Sequence, residues 1–82
     1  MVAKKEDLQD WIKDGIRQLG GRATVDQVAK YIWDHHERDL KSAGKLLYTW
    51  QYDMRWAANI LRRKGILKAA EVSPRGIWEL LK

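Results

Sequence analysis

The chain of 82 residues contains no cysteine, which excludes disulfide staples, zinc ribbons and thiol nucleophiles together. One proline and 6 glycines are too few for a collagenous or low-complexity protein. Long apolar runs are missing as well. The longest uncharged stretch, Leu46 to Tyr52, falls far short of the ~20 apolar residues that cross a bilayer, and Met1 to Glu6 does not lead into a signal-peptide core. A soluble, cytoplasmic protein with no membrane partner is expected.

Catalytic constellations are equally scarce. There is no nucleophile elbow, no glycine-rich phosphate loop and no carboxylate pair on a predicted pocket wall, and Gly20-Gly21 lacks the spacing of a dinucleotide fingerprint. His35 and His36 are adjacent, so on a helix they point about 100° apart and do not share one ion. The expectation is a non-enzyme with no cofactor and no metal site.

What is present suits one folded domain over residues 1–82, because 45% of the residues are hydrophobic and 33% charged. A chain this short buries only about 60% of its unfolded surface, so large side chains must carry the core. Five Trp and three Tyr are available. Trp11, Trp33, Trp50 and Trp78 fall on apolar faces and are expected inside.

Charge is distributed unevenly. Residues 1–40 hold 7 Lys/Arg against 8 Asp/Glu, whereas residues 41–82 hold 9 against 3, a net of +6 in the second half. A polyanionic partner would meet that half first.

Leu8, Trp11, Ile12, Ile16 and Leu19 recur at three- and four-residue steps and predict a helix over 4–19, stopped by Gly20-Gly21. Thr24-Val25-Asp26-Gln27 fits a capping box and opens a second predicted helix, 25–36, whose apolar pattern fades after His36. Residues 37–45 read as a loop with room for one helical turn. A third helix is predicted over 49–64, with Thr49 as N-cap and Gly65 as its stop. Beyond Gly65 the period shortens to two, predicting strands over 66–72 and 76–81 around a turn at Ser73-Pro74-Arg75-Gly76. This order is the α+β winged helix-turn-helix plan: three helices followed by a C-terminal β-hairpin wing.

On the third helix, residues set 100° apart put Trp50, Met54, Ala57, Ala58 and Leu61 on the core side. Tyr52, Arg55, Asn59, Arg62 and Arg63 lie opposite, with Gln51 and Trp56 at the edges. Arginine forks onto guanine, asparagine onto adenine, and either holds a phosphate. Together with Lys68 and Arg75 near the wing, these nine residues are the expected contacts to double-stranded DNA.

The run Trp50-Gln51-Tyr52-Asp53-Met54-Arg55-Trp56-Ala57-Ala58-Asn59-Ile60-Leu61-Arg62-Arg63-Lys64-Gly65-Ile66-Leu67, followed by Arg75-Gly76-Ile77-Trp78-Glu79-Leu80, resembles the winged-helix N-terminal domain of Mrr-type restriction endonucleases. The resemblance implies a DNA-binding fold related to restriction–modification, with Arg55, Asn59, Arg62 and Arg75 as contacts by position. The Asp…Glu-x-Lys metal site of the nuclease half has no counterpart in these 82 residues, so binding without cleavage is expected, as in a regulator. The chain also resembles short winged-helix modules that read methylated adenine through an aromatic pocket, which implies a modified-DNA reader as a further expectation. The alternative expectation is a protein-interaction domain anchored by Trp56, Tyr52 and Ile60.

Overall fold

A computed structural model describes residues 4–81 of the chain. Three helices, α1 (Asp7–Gln18), α2 (Val25–Lys41) and α3 (Leu46–Arg63), are joined by a two-stranded antiparallel sheet of β1 (Arg22–Thr24) and β2 (Ile77–Glu79). This is an α+β architecture, compatible with a winged helix. No described helix is long and apolar enough to cross a membrane.

The apolar stripe of α1 (Leu8, Ile12, Ile16) meets Val28 and Ile32 of α2 and Trp50, Met54, Ala57, Ala58 and Leu61 of α3 in one core. Of the four tryptophans expected inside, Trp50 and Trp78 are buried, while Trp11 and Trp33 pack half-buried against the core. Gly15 is where α1 and α2 approach closely. A Cβ there would come within 2.9 Å of the Tyr31 ring. The chain leaves α1 through Gly20 and Gly21, both at φ 98°, and the Gly21 N–H returns to the Ile16 carbonyl at 2.8 Å.

Helix α2 begins as its sequence specifies. The Thr24 hydroxyl accepts from the Gln27 N–H at 3.1 Å, and the Gln27 side chain accepts from the Thr24 N–H at 2.9 Å. Thr24→Ala is expected to cost about 1 kcal/mol, or ~4–8 °C of melting temperature in a domain of this size. A far-UV circular dichroism melt measures it, and an unchanged melting temperature would show the cap to be idle.

The predicted loop over 37–45 is mostly helix. A break at His36 (φ −129°, ψ 18°) interrupts α2, and the helix then runs on to Lys41 because Leu40 is fully buried and Lys41 pairs with Glu37 at 2.6 Å. Helix α3 starts at Leu46 rather than Thr49. Leu46 is core, and Thr49, inside the helix, donates its hydroxyl to the Asp53 carboxylate at 2.7 Å instead of capping.

The larger correction concerns the wing. Strand 66–72 shrinks to a single antiparallel bridge, Leu67 opposite Leu80, flanked by hydrogen bonds from Lys68 N–H to the Glu79 carbonyl and from Leu81 N–H to the Ile66 carbonyl. The regular partner of β2 is β1, paired Arg22 to Glu79, Ala23 to Trp78 and Thr24 to Ile77. Residues Ala69 to Val72 are all exposed, and alanine and glutamate favour strands poorly, so no buried face holds this stretch extended. It folds instead into turns, with Val72 and Ser73 N–H groups donating to the Ala69 carbonyl. A clear C-terminal hairpin is therefore not formed.

Candidate nucleic-acid interface

Burial on α3 follows the predicted faces. All five core-side residues are buried, and Gln51, Tyr52, Arg55, Trp56, Asn59 and Arg63 are exposed, with Arg62 half-buried. The polar face of the helix is thus open except at Arg62.

The turns after Leu67 lie alongside this face and enclose a cleft of about 770 Å³. Arg55, Asn59 and Arg62 line it from α3, Ser73 to Gly76 from the turn, and Thr24 to Asp26 from the start of α2, with Trp78 among the lining residues. Four predicted contacts, Arg55, Asn59, Arg62 and Arg75, therefore share one concavity. The Gly76 carbonyl accepts from the Val25 N–H at 3.1 Å, which ties the turn to the head of α2.

The other five predicted contacts lie elsewhere. Gln51 borders a shallow groove with Trp33 and Trp50. Trp56, 49% exposed, faces α1 beside Lys5, Gln9 and Ile60 rather than the 73–76 turn. Tyr52 meets the Trp56 ring edge-on at 6.5 Å. Arg63 ends α3, exposed and outside the cleft. Lys68 is paired with Glu79 across the Leu67–Leu80 bridge at 3.1 Å, so its charge is locally cancelled.

Most cations of α1 and α2 are matched within their own helix, as in Lys13–Asp10, Arg17–Asp14 and Lys30–Asp34, with Arg38 the exception among the described residues. Among the described residues none of Arg55, Arg62, Arg63 and Arg75 pairs with a carboxylate. Asp26 is the one acidic residue lining the cleft, against three guanidinium groups. Such a concavity attracts anions and offers planar, forked donors to them.

Ser73 is a lining residue that the sequence presents only as part of a turn. Its burial arises from docking of the turn, and no local pattern announces it. The histidines diverge as expected for neighbours on a helix: His35 stacks on Tyr31 and His36 on Trp11, each at 4.0 Å. Comparison of the chain with protein-family models, with curated proteins and with solved structures returned no match.

Proposed function

We propose that this chain is a winged-helix module that binds double-stranded DNA in the cytoplasm, with α3 in the major groove and the 73–76 turn serving as a short wing on the adjacent groove or backbone. The observation that carries this reading is the set of three arginines, Arg55, Arg62 and Arg75, that pair with no carboxylate among the described residues and gather with Asn59 around one cleft. An 18-residue helix is about 27 Å long, and its width matches a groove ~12 Å across. Arg55 and Asn59 lie one turn apart on the exposed face, at the spacing needed to reach successive base edges, while Arg62 and Arg75 approach phosphates.

A salt titration of duplex binding by fluorescence anisotropy tests the reading. Neutralising about three or four phosphates gives a loss of ~40–150-fold in affinity between 50 and 200 mM salt. Affinity that stays flat over this range would overturn it. A second reading, docking of a partner protein, is favoured by Tyr48, Tyr52 and Trp56, which stand exposed at four-residue steps along α3. Absence of duplex binding at low salt would leave that reading in place of the first.

A further inference from the structure

Two buried polar atoms of the described residues have no hydrogen-bond partner within the protein, Arg62 Nε and Ser73 Oγ. Both belong to residues lining the same cleft, one from α3 and one from the turn facing it. Ser73 is only 7% exposed. Buried donors without acceptors are costly, and two of them in one concavity mark a place where the free molecule gives up stability for an external partner.

The chemistry of that partner follows from the donors. Arg62 Nε–H donates only, and a serine hydroxyl donates readily to an anion. Arg55 and Arg75 add two further guanidinium groups to the lining. An acceptor that meets hydrogen-bond donors from both walls needs several oxygens pointing in different directions and at least one negative charge. A phosphate group meets this description, and a planar base edge does not.

We propose that the cleft seats one phosphate of the DNA backbone, with Arg62 and Ser73 as its inner ligands and Arg75 at its rim, while Arg55 stays with the base edges. The seat rests on the DNA-binding reading and adds to it a residue, Ser73, and a defined point at which the strand is pinned. Because both inner atoms are closed to solvent, the phosphate enters as the exposed Pro74-Arg75-Gly76 segment yields. Once seated, it joins turn and helix and sets the register of α3 on the duplex.

The test uses the Ser73→Ala and Arg62→Gln variants of the full chain, compared with wild type in duplex anisotropy titrations and thermal melts. Ser73→Ala is expected to melt at or above the wild-type temperature, since it removes an unsatisfied buried hydroxyl, and to bind duplex about fivefold more weakly with an unchanged salt slope. Arg62→Gln is expected to bind about tenfold more weakly on every sequence and to lower the salt slope by about 1. Because the two side chains share one ligand, the double variant should lose less than the product of the single losses. A lower melting temperature for Ser73→Ala would assign the hydroxyl a structural role and overturn the seat, as would wild-type duplex affinity in both variants. Inorganic phosphate, titrated alone while the Ser73 amide is followed by NMR, separates the sources: saturable binding lost in Ser73→Ala, with duplex affinity unmoved, would identify a free-phosphate site and overturn the DNA assignment. Failure of wild type to bind duplex strikes the parent reading, whereas normal wild-type binding with indifferent variants strikes the seat alone.

Discussion

Replacing Arg55 and Arg75 together with alanine is expected to lower duplex affinity by ~30-fold or more at moderate salt. Each arginine in a charge-assisted or forked contact is worth about 1–3 kcal/mol, and the two come from separate elements, α3 and the 73–76 turn, so their losses should nearly add. A loss of 1.4 kcal/mol is tenfold. The single variants should differ in kind: Arg55→Ala relaxes discrimination at one base position, while Arg75→Ala weakens every sequence alike and reduces the salt slope by about 1. By sequence Lys68 is the natural uniform contact, but its pairing with Glu79 transfers that role to Arg75. Both arginines are exposed, so the double variant should melt within a few degrees of wild type. Anisotropy titrations on random and selected duplexes decide the matter, and a folded double variant with undiminished affinity would remove the cleft from the DNA-binding surface.

What the sequence made readable was periodic, and what it concealed was long-range. The core side of α3 followed from 100° spacing because five apolar residues repeat the same bearing, and all five are buried. The continuation of α2 is faint in the sequence because a single apolar residue, Leu40, marks it, and one residue makes no period. Thr49 has the chemistry of a cap, yet its hydroxyl serves Asp53, a carboxylate only 5% exposed that also meets Lys5 at 3.5 Å. The partner of β2 was hidden for a related reason. A three-residue strand carries almost no alternation, so pairing between Arg22–Thr24 and Ile77–Glu79 emerges only when the helices bring these two distant segments together.

The site divides along the same line. Arg55, Asn59 and Arg62 could be grouped from their helical bearing, and Arg75 from its place in a turn, and all four line one cleft. Cancellation of Lys68 depends on cross-strand register, and burial of Ser73 on how the turn docks. Neither leaves a local trace. Trp56 stood at an edge of the helix in the sequence, and the packing of α1 decides which way it faces.

Trp78→Ala should damage the fold more than any of the other single substitutions. Its side chain is 5% exposed, sits opposite Ala23 in the ladder and lines the cleft, so it joins sheet, core and site. Truncating a buried tryptophan costs about 3–5 kcal/mol through lost transfer energy and the cavity left behind. A domain of this length holds roughly 4–12 kcal/mol in total. The expected fall in melting temperature is therefore ~12–40 °C, and at the lower end of total stability the variant is unfolded at room temperature. Trp56→Ala supplies the comparison within the same chain, since that ring is 49% exposed and leaves no enclosed void. Its melting temperature should fall by far less. Far-UV circular dichroism melts of the two variants measure the difference directly. If both fell equally, the burial that separates the two tryptophans would have no energetic meaning. The cleft, which Trp78 also lines, would then need another support.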